Sequence, residues 1–178
     1  MPKKINLTVP SYVVLGMVEG AGEATPYDMK RLAAISLDHF RSVRHAQLYS
    51  EPDRLAEAGL LSVRREQSGR RRKLYSLTAA GSDALEAWRH ETDEPLAEIR
   101  DEGLLKIFFG ADPTVVAERQ IELHGGRLKE FEDSLETYGP FMTEGQLLVL
   151  RMGIEQEIHW IATLKDIASG KLHGRKSG

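Results

Sequence analysis

The chain has 178 residues, 41% hydrophobic and 29% charged, with a formal net charge of −3 and no cysteine. That describes a globular protein of one ordinary domain or two small ones, and excludes a disordered chain, a disulfide scaffold and a thiolate metal site. The charge is split unevenly: residues 1–90 carry 14 Lys and Arg against 10 Asp and Glu, and residues 91–178 carry 10 against 17.

The opening MPKKINLTVPSYVVLGMVEG joins a basic start to an apolar run. Pro10, Ser11 and Tyr12 interrupt that run, and residues 13–18 are too short for the core of a secretory signal. No run approaches the ~18–20 apolar residues of a membrane-spanning helix. A reducing, cytoplasmic setting and no membrane partner are expected.

Residues 9–18 read as a short buried helix that ends at Gly20 and Gly22. Thr25-Pro26 opens a second helix, with Thr as N-cap and Pro in the first position, running to about Ala34. A third covers roughly 44–58 and stops at Gly59. Pro52 falls inside it, so the helix is either kinked there or regular only from about Leu48 to Ser50. Leu61 and Val63 share one parity, as do Tyr75 and Leu77, which is the period of two half-buried strands. Gln67-Ser68-Gly69 turns between them, and Thr78 caps a further helix reaching about Thr92.

The second half reads as helix throughout. Asp93, with Pro95 in its first turn, starts one segment that runs through residues 95–109, and Asp112-Pro113 starts another. Ala117, Ile121, His124, Leu128, Phe131, Leu135 and Tyr138 then alternate in steps of four and three, a heptad seam. Gly125-Gly126 in its middle implies a close helix approach or a kink. Gly139-Pro140 ends this helix, and Thr143 caps a last one with a stripe of Leu147, Leu150, Ile154, Ile158, Ile161 and Leu164. Two such helices show more apolar surface than a small monomeric domain hides, and a second copy is the simplest cover.

The expected fold is mostly α with a small β-hairpin: a winged helix-turn-helix N-terminal domain, 1–91, and an α-helical C-terminal dimerisation domain, 92–178. In a winged helix the third helix enters the major groove and the hairpin lies on the backbone. Arg44, His45 and Gln47 stand at the N-terminal part of that helix, with chemistry suited to guanine and adenine edges. Tyr49 and Ser50 follow with hydroxyls for phosphates. Residues 64–73 hold six basic residues and one acid, including Arg70, Arg71, Arg72 and Lys73. A solvated charge run is the default for such a cluster, but a hairpin tip beside a DNA-reading helix favours phosphate contact. Arg70 and Arg71 are the first candidates, while Lys73 shares the parity of Tyr75 and points inward or along the strand.

Tyr27-Asp28-Met29, Gln47-Leu48-Tyr49, Arg54-Leu55 with Gly59-Leu60, and Gly69-Arg70-Arg71-Arg72-Lys73-Leu74-Tyr75 leading into Leu77-Thr78 and Gly81 resemble the PadR family of transcriptional regulators. Arg100-Asp101-Glu102 before Leu104-Leu105, and Trp160 near the end, resemble the helical domain first described in virulence activators. The sequence departs from the family at Pro26, Arg44 and Pro52. The resemblance implies a homodimeric regulator of double-stranded DNA, usually a repressor on a palindromic operator, that releases DNA when a small-molecule effector binds. It implies dimerisation through the C-terminal helices, and Leu104, Leu105, Phe108, Phe109, Ile121, Leu128, Ile158, Trp160 and Ile161 are the candidate interface.

No enzyme motif stands out: there is no Gly-x-Ser-x-Gly, P-loop, dinucleotide fingerprint or His-Glu-x-x-His. Asp101 and Glu102 diverge on their helix. No cofactor or catalytic residue is expected. Glu155 and His159 could share a metal at their i,i+4 spacing, but read better as an intrahelical pair. His124 on the seam reads as a satisfied interface residue, and Trp88 and Trp160 as core aromatics rather than ligand contacts. The alternative to a DNA-binding regulator is a winged-helix protein-interaction adaptor without specific DNA binding.

Overall fold

The computed structural model describes residues 5–36, 45–67, 71–92 and 101–171, within two compact units, Met1–Pro95 and Leu96–Gly178. The first unit runs α1 (Val9–Ala21), β1 (Glu23–Ala24), α2 (Pro26–Ser36), α3 (His45–Glu57), β2 (Leu61–Arg65), β3 (Lys73–Leu77) and α4 (Ala79–Arg89). Thr25 and Asp28 cap α2 reciprocally: Thr25 N donates to Asp28 Oδ2 at 3.0 Å and Asp28 N donates to Thr25 Oγ1 at 3.2 Å. Pro26 occupies the first helical position, where no backbone donor is needed.

The strands form an antiparallel sheet in the order β1-β3-β2, with Leu61 opposite Leu77 and Val63 opposite Tyr75. The two-residue β1, which pairs Ala24 with Tyr75, has no counterpart in the sequence reading. It is too short to show a period. The helices enclose one core built from Val14, Leu15, Val18, Met29, Leu48, Leu55, Leu61, Tyr75 and Leu85, all at most 2% exposed. Val63 corrects the expected parity of β2: it is 50% exposed, because β2 is an edge strand and only its first residue lies under the helices.

Two glycines carry the junction between α3, β2 and α4. Gly59 adopts φ 79° just past α3, and Leu60 N returns to Leu55 O at 2.9 Å, closing the helix. Gly81 passes so close to Leu60 O that a Cβ there would lie 2.1 Å from it. Thr78 Oγ1 donates to the carbonyls of Gly59 and Leu60, at 2.8 and 2.9 Å, and accepts from Gly81 N at 3.1 Å. The Leu-Thr-x-x-Gly run is therefore a cap and a close approach in one device.

Pro52 neither breaks α3 nor delays its start. The helix begins by His45 and continues past the proline, whose ring is fully buried. The late start near Leu48 is thus overturned; the ring lies on the buried side with Leu48 and Leu55, and core packing offsets the lost hydrogen bond.

The second unit comprises α5 (Glu102–Phe108), α6 (Pro113–Tyr138), a 3₁₀ turn at Gly139–Phe141 and α7 (Glu144–Ala168). The expected continuous helix through residues 95–109 is overturned at Asp101, whose backbone is extended at φ −112° so that a shorter helix begins after it; the expected start at Asp93 and Pro95 lies outside the described residues. Within them, α5 is capped by Asp101, which accepts from Leu104 N at 2.9 Å. Asp112 and Thr143 cap α6 and α7 as expected. The long helices pair as an antiparallel hairpin closed on Ala117, Phe131, Leu150 and Leu164. The Phe131 ring lies 3.2 Å from where a Cβ on Gly153 would stand, so the two helices meet closely there. Gly125 and Gly126 do otherwise: α6 runs through both, and nothing lies within 4 Å of either Cβ position. The close approach expected at that pair is absent among the described residues.

The histidine-glutamate pairing also differs from expectation. Glu155 and His159 are exposed and form no ion pair among the described residues. Instead His124 Nδ1 on α6 donates across the hairpin to Glu157 Oε2, and Arg127 Nε lies 3.4 Å from the other oxygen. The His124 ring stacks on Trp160 with centroids 5.7 Å apart. Glu157 is only 7% exposed, so its charge is compensated where water is scarce. Among the described residues no helix is long and apolar enough to cross a membrane, and no group of three or more His, Asp or Glu could hold a metal ion.

Candidate nucleic-acid interface

α3 sorts its residues by face. Leu48, Pro52 and Leu55 turn inward, while Gln47, Tyr49 and Ser50 are exposed. Gln47 thus presents an exposed amide, the group that pairs with an adenine edge. Tyr49 is 49% exposed, and Ser50 Oγ donates to Ala46 O at 3.2 Å. Arg44 and the side chain of His45 lie outside the described residues. Arg54, further along, is used internally: it donates to Ser11 Oγ at 2.9 Å, to Asn6 O at 3.1 Å and to both oxygens of Glu51.

The hairpin separates the basic cluster into anchored and unanchored cations. Arg64 Nη2 donates to Glu23 Oε2 at 2.8 Å, spanning the sheet from β2 to β1. Arg72 Nη2 donates to Glu66 Oε1 at 2.9 Å, and Glu66 N donates to Arg72 O at 3.0 Å, clamping the neck of the turn. Lys73 Nζ reaches both oxygens of Asp53 on α3 at 2.7 Å, and Tyr75 Oη donates to Asp53 Oδ1 at 2.7 Å. That network holds the Asp53 carboxyl below the usual carboxylate range, through Lys73 first and Tyr75 second.

Arg71 and Arg65 are exposed and form no ion pair among the described residues. Arg71 also has φ 47°, so the chain turns through the left-handed region there, one residue before the neck that Arg72 closes with Glu66. Arg70 lies outside the described residues. The expected wing set of Arg70, Arg71, Arg72 and Lys73 therefore divides: Arg71 is unanchored, Arg72 is shared with Glu66, and Lys73 is bound to α3. Arg65 is the cation the sequence reading passed over. The alternation of β2 hid it, because Arg65 shares the parity of Leu61 and Val63, and only the folded hairpin sets it opposite Lys73.

The expected dimer face divides as well. Leu105, Phe108, Phe109 and Ile158 are 55%, 81%, 78% and 45% exposed. Leu104 on α5 and Ile121, Leu128, Trp160 and Ile161 on the long hairpin are half-buried. Phe108 and Phe109 meet edge-on with centroids 5.2 Å apart, both rings open to solvent.

An exposed amide on a helix beside a hairpin with exposed arginines is the layout of a winged-helix DNA reader. Residues 14–87 match the model of the transcriptional regulator PadR-like family, and residues 99–169 match the virulence activator alpha C-terminal domain. Residues 14–87 are thus a PadR-like transcriptional-regulator domain, and the two matches together support a PadR-family regulator. It is 27% identical to the negative transcriptional regulator PadR of Bacillus subtilis strain 168, over 90% of this chain and 96% of that protein. The crystal structure of Bacillus subtilis PadR in complex with operator DNA superposes with a TM-score of 0.80 at 26% identity, covering 91% of this chain and 98% of the other. The complex of that protein with p-coumaric acid superposes with a TM-score of 0.77 at 25% identity, covering 91% and 98%.

Proposed function

We propose that the chain is a ligand-responsive transcriptional repressor acting as a homodimer on a palindromic operator. Residues 1–91 bind the DNA, and residues 92–178 dimerise and receive the effector. The observation that carries the reading is the near full-length likeness to a repressor solved on its operator, with an exposed Gln47 and an unanchored Arg71 on the two elements a winged helix applies to DNA. Gln47 reads base edges, and Arg71 neutralises phosphate without reading sequence. Two copies present two α3 helices to major grooves about one helical turn, ~34 Å, apart. The exposed rings of Phe108 and Phe109 with Leu105 and Ile158 are buried between the copies.

The relative solved with p-coumaric acid supports effector control. An effector acts here by binding the DNA-incompetent dimer more tightly than the DNA-bound one. We read the protein as a cytoplasmic binding regulator and not an enzyme.

Salt-titrated binding to the DNA upstream of its own gene, against random duplex of equal length, tests this. Affinity should fall linearly in log salt, by about 0.9 log units per neutralised phosphate for each log unit of salt. Arg71→Ala should weaken binding equally on both duplexes, and Gln47→Ala should change sequence preference. Salt-independent binding, or no preference over random duplex, would defeat the repressor reading.

A further inference from the structure

Lys73 and Tyr75 stand two residues apart on β3, and both end on one carboxylate of α3. Lys73 Nζ lies 2.7 Å from each oxygen of Asp53, and Tyr75 Oη donates to Oδ1 at 2.7 Å. Tyr75 is 1% exposed, so its hydroxyl is carried on a ring the core holds in place. Its pKa is pushed up by burial and by the bond to Asp53, so it keeps the proton that it donates. Among the described residues no other side-chain hydrogen bond joins α3 to β2 or β3.

The position of this bond matters. Lys73 is the first residue of β3, two residues beyond the exposed Arg71. Asp53 lies on α3, the helix that carries Gln47. Exposed ion pairs contribute little to stability by themselves, because water screens them. Lys73 and Asp53 have side chains 38% and 47% exposed, so this pair belongs to that class. Its third member does not, and a buried hydroxyl that fixes the carboxylate turns a loose pair into a defined joint.

We propose that Asp53 is a positioning residue that couples the base-reading helix to the wing, with Lys73 as a strut to Asp53 and not a phosphate contact. The joint sets how far Arg71 stands from Gln47, so that base and phosphate contacts are made in one register. A right sequence then gains both sets of contacts together. Without the joint the wing still finds phosphates, on any sequence, while α3 is no longer held over its bases. Specificity falls and bulk affinity does not. This rests on the DNA-binding reading above.

The test measures affinity for a duplex that the wild-type protein selects from a random-sequence pool, and for random duplex, across a salt series. Thermal midpoints and circular dichroism establish folding. Asp53→Ala should lower the preference for the selected duplex about tenfold, the scale of one lost base-pair discrimination, with affinity for random duplex undiminished. It frees Lys73, so the salt slope on random duplex should rise by up to about 0.9 per subunit. Asp53→Asn, which keeps an acceptor for Tyr75, should fall between wild type and Asp53→Ala. Lys73→Met should also lower the preference while leaving the salt slope on random duplex unchanged.

An unaltered preference in a folded Asp53→Ala protein overturns the proposal. So does a salt slope that drops by about 0.9 per subunit in Lys73→Met, since that is the mark of a phosphate contact. If Asp53→Ala does not fold, Lys73→Met decides: lower preference at unchanged slope supports the joint, and any other result rejects it. Salt-independent binding by the wild-type protein sinks the DNA reading itself, and is told apart because it appears before any variant is compared.

Discussion

The N-terminal unit buries Val14, Leu15, Val18, Met29, Leu48, Leu55 and Leu85 almost completely, whereas the C-terminal unit leaves Leu105, Phe108, Phe109, Phe141, Leu148 and Met152 more than half exposed. Both halves are mostly helical, so helix content does not make the difference. Four helices and a sheet in the first unit surround a common centre, and each apolar stripe meets another. The second unit is one long hairpin with a short helix. Two helices can cover only one stripe of each other, so the remaining apolar faces need a partner. The region proposed to read DNA is self-sufficient in packing, and the region proposed to dimerise is not.

Leu48→Ala would break the self-sufficient half. It opens a cavity under α3, and a loss of about 2–5 kcal/mol in unfolding free energy is expected by denaturant titration. Phe108→Ser tests the other half. Its ring is 81% exposed, so unfolding of the N-terminal unit should not change, while dimer dissociation rises about thirtyfold, or ~2 kcal/mol, by sedimentation. An equal loss of stability from both substitutions would erase the contrast. Thr78→Ala removes a cap of α4 and two bonds to the α3–β2 junction, and should cost about 1 kcal/mol in the N-terminal unit alone.

The smallest effect concerns acid. Asp28 is held below the usual carboxylate range by Thr25, and Asp53 by Lys73 and then Tyr75. Both have folded values below the unfolded value of about 4. Their contribution is therefore complete above that pH and disappears as pH falls through the folded values. Thermal midpoints of the N-terminal unit should decline below about pH 4, less steeply in Asp53→Asn than in wild type. An identical decline in the two would remove Asp53 from the account.

Helix order, the capping residues and the hairpin were legible because each rests on local chemistry. Thr25-Pro26, Asp112-Pro113, Thr143 and Gly59 set their boundaries through neighbouring backbone alone. The candidate site was legible in composition and not in allocation. Six cations between 64 and 73 announced a wing, but nothing in that run shows that Lys73 would meet Asp53, twenty residues earlier, or that Arg72 would meet Glu66. Likewise His124 read as a seam residue, while its partner Glu157 sits on the other long helix, 33 positions away, beside a more conspicuous Glu155 and His159.

Residue types and their spacing by themselves determined the order of the helices, a basic hairpin after the third, and two long amphipathic helices at the end. Capping, periodicity and turn chemistry act over a few residues and are written in the chain. Tertiary structure decided which charges are available. An ion pair forms when folding brings two side chains within reach, and that depends on how α3 crosses the sheet and how α6 lies on α7. Only the folded chain separates Arg71, left exposed beside the turn, from Lys73, drawn back to α3.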